Sequence, residues 1–321
     1  MKTYIALFLT LVILVASLAG CTSESTPHDG YTVAIVQQMD HSSLDEIRLA
    51  VESRLNEISA QQGISITCQS YNGQNDSTVL NQIGAQIVSD GVDAIIPIAT
   101  TAAVCMVTAA EGTDIPVIYA AISDPASADL TGLEQVTGTS DALNTSFILD
   151  MMLAVQPQVE TVGLLYSNSE PNSVTPIAQA KAYLDEKGIA YLEKTGNSTD
   201  EILTAANSLV GRVQAVFTPT DNVVMAAEGA IAEVFTASGI AHYTGADSFV
   251  TSGAFVTCGV NYTQLGRYTA DMAVDAMCNG VIPEYHVMEG GVITVNTATA
   301  QALGLDYSVF ATLADTVKEV K

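Results

Sequence analysis

The chain has 321 residues, a length that suits two domains of ordinary size. Hydrophobic residues make up 48% and charged residues 14%, enough apolar material for a sizeable core and too much for wholesale disorder. Against 35 acidic residues stand 10 basic ones, a formal net charge of -25, which repels phosphate backbones and anionic lipid headgroups and excludes nucleic acid as a partner.

Lys2 precedes the apolar run IALFLTLVILVASLA. The run is too short and wrongly flanked for a stable membrane span and reads as a secretory signal over residues 1–20. It closes on Leu18-Ala19-Gly20-Cys21, the pattern of a bacterial lipobox. The pattern predicts export, with Cys21 as first mature residue and lipid attachment site, and places the protein on the outer face of the cytoplasmic membrane. Residues 21–30 are polar and breaker-rich and read as a flexible tether.

From Tyr31 onward short β-rich runs alternate with helical stretches. TVAIVQ reads as a strand and 43–62 as a helix; ISITCQSYN and DAIIPIA are strands, each followed by a helix (TVLNQIGAQIVSD, then TTAAVCMVTAAE); IPVIYAAI is a fourth strand. After VTGTSDALN the pattern restarts with the helix SFILDMMLAVQP, the strand TVGLLYS and the helix VTPIAQAKAYLDEKG. AYLEKTG, EILTAANSLVG, AVFTPT and NVVMAAEGAIAEVFTASG continue the alternation. IAHYTGAD and AFVTCGV follow as strands, NYTQLGRYTADMAVDAMCNG as a long amphipathic helix, HVMEGGVITVN as one late strand, and TATAQALGLD opens a terminal helix. Apolar strands each followed by a helix indicate parallel sheets covered on both faces.

The fold class expected is therefore α/β, with two doubly wound parallel-sheet lobes joined by hinge strands crossing near 139–144, 252–258 and 285–291. One lobe takes residues 31–143 plus 253–284, the other 144–252 plus 285–321. Ligands of such sheets bind beyond the carboxyl ends of the strands, and two facing lobes make a cleft that can close on a solute.

The segments after the strands are unusually polar. Candidates for binding are Gln37, Met39 and Ser42 after the first strand, Thr100 and Thr101 after the third, and Ser123 and Asp124 after the fourth. In the second half they are Ser169, Glu170 and Asn172, then Asp221, then Asp247. Each of the Ser, Thr, Asp and Asn residues also reads as a helix N-cap or turn residue. The helix opening at Thr100-Thr101 could hold a ligand carboxylate, Asp221 or Asp124 a ligand ammonium, and the amide of Gln37 or Asn172 further hydrogen bonds. That set fits an amino acid or other small zwitterion better than a sugar phosphate, and Tyr71 with Met39 could supply apolar walls. The remaining cysteines, Cys68, Cys105, Cys258 and Cys278, lie in apolar periodic segments without CxxC spacing and are expected as free buried thiols. No metal, cofactor or catalytic residue is expected: the few histidines are scattered, and there is no HExxH, GxSxG or phosphate-binding glycine loop.

The segments VAIVQQMDHSSLDEIRLAVESRL, DAIIPIATTAA, PVIYAAISDPASADL, VTGTSD, VGLLYSNSEPNS, TPTDNVV and GVNYTQLGRYTADMA, in that order, resemble the ABC transporter substrate-binding family that includes tryptophan- and tyrosine-binding lipoproteins. The resemblance implies a type I periplasmic-binding-protein fold, no enzymatic activity, and a small amino acid-like ligand, aromatic or branched hydrophobic, between two lobes. It also implies a monomer that delivers its solute to an ABC permease and its ATPase. The Ser-rich YSNSEPNS loop departs from the YNPGE-type turn of such relatives, which bears on pocket shape and ligand identity. A lipoprotein that signals ligand occupancy to a membrane receptor would need the same closing cleft and stands as the alternative.

Overall fold

The structure, a computed structural model, describes residues 30–321; the signal run and Cys21 lie outside the described residues. Two parallel-rich sheets form the frame. The first runs β11-β5-β4-β3-β1-β2, from β1 (Tyr31–Gln37), β2 (Ile66–Asn72), β3 (Ala94–Ile98), β4 (Val117–Tyr119), β5 (Val136–Ser140) and β11 (His286–Val287). The second runs β13-β12-β10-β9-β8-β6-β7, from β6 (Thr161–Tyr166), β7 (Ala190–Thr195), β8 (Ala215–Thr218), β9 (Ala241–Thr244), β10 (Val256–Thr257), β12 (Ile293–Asn296) and β13 (Val317–Val320). Strands β1 to β5 and β6 to β10 repeat one winding, each ladder starting at its second position and stepping outward in parallel.

Helices cover both faces of each sheet, which is why the central strands are continuously apolar. In the first lobe α1 (Ser42–Gln62) and α9 (Tyr262–Asn279) lie on one face, where Ile47, Val51 and Leu55 meet Leu265 and Ala273 over Val33 and Ile35. Gly266 lets these helices touch: a Cβ there would stand 2.6 Å from the Ile47 carbonyl oxygen. Helices α2 (Ser77–Asp90) and α3 (Thr100–Ala110) cover the other face, with Leu80, Ile87 and Met106 packed on Ala34 and Val36. In the second lobe α4 (Thr145–Val155) and α5 (Val174–Lys187) pack on Val162, Leu164 and Phe217. On the opposite face α6 (Thr199–Leu209) and α7 (Asn222–Ala237) pack on Leu165 and Val216. Short α8 (Asp247–Thr251) and α10 (Thr297–Leu303) complete the fold.

The chain crosses between lobes three times, and at the second and third crossings the lobe boundaries shift from those read in the sequence. The first follows β5, a strand absent from that reading because VTGTS lacks the bulky β-branched run that marked its neighbours. The second comes after β10, which pairs with β9 and β12, so residues 253–257 belong to the second lobe rather than the first. The third splits HVMEGGVITVN into β11, paired with β5, and β12, paired with β10 and β13; residues 285–287 thus stay with the first lobe. The terminal helix ends at Leu303, and the chain finishes in β13. Cys68, Cys105, Cys258 and Cys278 are unpaired thiols, the first and last only half-buried. Among the described residues no helix is long and apolar enough to cross a membrane.

Candidate functional site

Between the lobes lies a narrow, partly enclosed cavity of about 20 Å³, roughly the room of one water molecule. Its first-lobe wall is His41, Ser43 and Leu44 from the start of α1, Ala99 and Thr100 from the β3–α3 junction, and Ala121 and Ser123 after β4. Its second-lobe wall is Asn172, Thr220, Asp221, Asn222, Met225 and Phe249, while Asp141 and Tyr262 enter from the crossings.

Three features mark this cavity as the candidate site. First, it holds a carboxylate without a cation. Asp141 is 4% exposed; it accepts from the Ser123 hydroxyl at 2.9 Å and the Tyr262 hydroxyl at 3.0 Å. Burial pushes its pKa up, the two hydroxyls and its own backbone N–H only partly opposing the shift. The single basic side chain in the wall, His41, is held neutral by burial, its pKa lowered to about 4. Second, α3 points its N-terminus at the cavity; its own cap residue, Ala99, offers no side chain, and of its first-turn amides Thr101 N–H is taken by Gln38 at 3.2 Å. Ala99 makes the turn at φ 77° and ψ 160°, a conformation that costs a non-glycine residue about 1–3 kcal/mol and clusters at functional sites; Ala121 in the same wall has φ 57°. Third, buried polar atoms of the wall have no partner: His41 Nδ1, Thr100 Oγ1 and Asn172 Oδ1. Unsatisfied buried groups are costly unless something meets them.

The lobes touch directly around the cavity. His41 Nε2 lies 3.0 Å from Asn222 Oδ1, Ser123 Oγ 3.1 Å from Thr220 Oγ1, and Ser43 Oγ bonds Ser248 Oγ. Further out, the Gln38 amide donates to Glu170 at 2.7 Å and the Thr175 hydroxyl to Asp124 at 2.7 Å.

The model of the family described as ABC transporter substrate binding protein matches residues 32–317. The chain belongs to that family. It is a family of binding proteins, not of enzymes. The chain is 28% identical to the tyrosine-binding protein of Clostridioides difficile, over all of this chain and 96% of that one. Among solved structures it is similar to a Streptococcus ABC domain in complex with L-Trp, at TM-score 0.82 and 28% identity over 90% of this chain and 99% of that one. A ligand-free, open substrate-binding protein with adhesive properties from Clostridium difficile matches at TM-score 0.67 and 28% identity over 91% of this chain and 99% of that one. At equal identity the shape agrees better with the ligand-bound binding protein than with the open one. The direct hydrogen bonds across the cleft agree: the lobes of this family member stand closed.

Of the residues picked from sequence, Thr100, Ser123, Asn172 and Asp221 line the cavity. Asp221 does so as a structural residue: it caps α7, its Oδ1 accepting Val224 N–H at 3.0 Å and its Oδ2 accepting Ser167 N–H and the Ser173 hydroxyl, each at 2.7 Å. The others stand off the cavity. Gln37 donates to Asp45 at 3.1 Å within its own lobe, Met39 packs on the first-lobe core, Ser42 is exposed, and Thr101 N–H is taken by Gln38. Tyr71 sits on edge strand β2 bonded to Gln69, Ser169 is exposed and bonded to Ser167, and Asp247 pairs with Lys318 on β13 at 3.0 Å. Asp124 and Glu170 bridge the lobes instead. The sequence reading missed Ser43, Asp141, Met225, Phe249 and Tyr262. Four of these lie on helices or beside them rather than just after a strand, and Asp141 follows the strand that went unread.

Proposed function

We propose that this chain captures an aromatic amino acid between its lobes and delivers it to the permease of an ABC importer. In this reading it is exported, acts as a monomer, and is held at the outer face of the cytoplasmic membrane by lipid on Cys21. The observation that carries the ligand class is Asp141: a buried carboxylate with only neutral donors, in the wall of the interlobe cavity, is a counter-charge for a ligand ammonium. In the same cavity wall, the N-terminus of α3, which has no cap of its own, and the Thr100 hydroxyl suit a ligand carboxylate. Leu44, Met225, Phe249 and Tyr262 supply apolar and aromatic surface for the side chain. Relatives that bind tyrosine and L-Trp support the aromatic choice.

The solute bridges both lobes, so it favours closure by as much as it binds the closed state better than the open one. Thermal-shift measurements on the purified chain test the reading. L-Tyrosine or L-tryptophan should raise Tm, while analogues lacking the ammonium or the carboxylate should not. Equal shifts with the deaminated analogue would remove Asp141 from the reading. The anchor is tested separately: Cys21→Ala should move the protein from the membrane fraction to the medium.

A further inference from the structure

Glu170 is a carboxylate caught between the lobes. It precedes the turn 171–173 that leads into α5 in the second lobe, is 1% exposed, and does not line the cavity. Its Oε1 accepts from Gln38 Nε2 of the first lobe at 2.7 Å and its Oε2 from Asn222 Nδ2 at 2.6 Å. Neither partner is cationic. The charged groups around it give no relief: Asp221 at the start of α7 is a like charge, His41 on the facing loop is neutral, and α3, which packs on the turn, carries no charged residue. Gln38 reaches Glu170 from the other lobe, so this hydrogen bond exists only while the cleft is closed. Parting the lobes replaces Gln38 by water and relieves the burial that is the larger cause of the raised pKa, while Asp221 stays beside it.

We propose that closing the cleft takes up one proton from solvent at Glu170, so that solute capture is proton-coupled. This rests on the reading of the cavity as the solute site. Burial first and the neighbouring Asp221 second push the Glu170 pKa from 4.5 up to about 8. Burial raises Asp221 too, but three donors hold its charge, so the proton falls to Glu170. The sign follows: a group with a raised pKa in the closed state favours closure at low pH, and that gain is lost as pH rises through about 8.

The geometry also gives the proton a route of influence. With Glu170 ionised, Asn222 donates to it and accepts from His41 Nε2–H, leaving His41 Nδ1 as an acceptor toward the cavity. With Glu170 protonated, its O–H donates to a turned Asn222 amide oxygen. The Asn222 amide then donates to His41 Nε2, and His41 presents Nδ1–H to the solute. His41 itself titrates in the opposite sense, because burial lowers its pKa from 6.5 to about 4. That release matters only below neutral pH, so the measurement belongs at pH 7.5.

Calorimetric titration of the full chain with L-tyrosine and L-tryptophan at pH 7.5, in phosphate and in Tris, reads proton uptake from the difference in heat. The wild type should take up about half to one proton per solute, and its affinity should weaken several-fold from pH 7 to pH 8.5. The Glu170→Gln variant should bind without uptake and with a flat profile over that range. Binding with equal heats in the two buffers, or equal uptake in the variant, would overturn the proposal. If neither amino acid binds, the solute reading fails on its own. Closure is then followed directly by small-angle scattering of the unliganded chain. Expansion from pH 6 to pH 9 that Glu170→Gln abolishes supports proton coupling, and a pH-independent shape refutes it.

Discussion

Two helix N-termini meet across the cleft at equivalent points of the repeated winding, α3 after β3 in the first lobe and α7 after β8 in the second. They are built in opposite ways. Helix α7 is closed off by Asp221, whose carboxylate is fully used by three donors of its own lobe. Helix α3 has an alanine at its cap position, held in a left-handed turn, and a threonine whose buried hydroxyl has no partner. The lesson is that a polar residue at a strand end is more informative when left unsatisfied than when present. One terminus is closed by its own aspartate; the other keeps a buried, unpartnered hydroxyl and is the one proposed to meet the solute.

The strongest way to break this comparison is Asp141, the buried carboxylate of the same cavity wall that is proposed as the counter-charge. Asp141→Asn keeps the shape and loses the charge; removing one partner of a buried ion pair costs about 3 kcal/mol or more, over a hundredfold in Kd by calorimetry. The unliganded variant should be at least as stable as the wild type, since an uncompensated buried charge is gone. Next is Asp221→Ala, which strips the closed terminus of its cap and strands three donors. Urea denaturation should show a loss of about 2–3 kcal/mol. A variant that stays as stable as wild type but no longer binds would make Asp221 a solute residue and erase the contrast. Thr100→Val should weaken solute binding about three- to tenfold with Tm preserved, since an unpartnered hydroxyl contributes nothing to the empty protein. Smallest is Ala99→Gly, which relieves the turn and should raise stability by about 1 kcal/mol in the same urea assay.

Much of the frame was legible because its signals are local. Central strands such as β3, AIIPI, are apolar throughout, and helices as long as α1 and α9 declare their period. What failed depended on partners far along the chain. Strand β5 is Thr- and Gly-rich, and its Thr139 hydroxyl is satisfied by Thr269 of α9, 130 residues away, which no local window carries. The run HVMEGGVITVN reads as one strand, yet the double glycine at 290–291 divides it between the two sheets. The site was legible to the same degree. Thr100 and Asn172 stood out as polar strand-end residues, but Asp221 and Asp247 looked the same and are occupied by a cap and by Lys318. Nothing in the sequence distinguished a spoken-for aspartate from Asp141, because that depends on which donors the fold brings near.

The most direct test of the account is a crystal structure of the chain with L-tyrosine or L-tryptophan bound. The account predicts the solute between the lobes, its ammonium within hydrogen-bond distance of Asp141 and its carboxylate at the first turn of α3 beside Thr100. A solute outside the interlobe cavity would contradict it. So would an ammonium on Asp221 with Asp141 still bonded only to Ser123 and Tyr262.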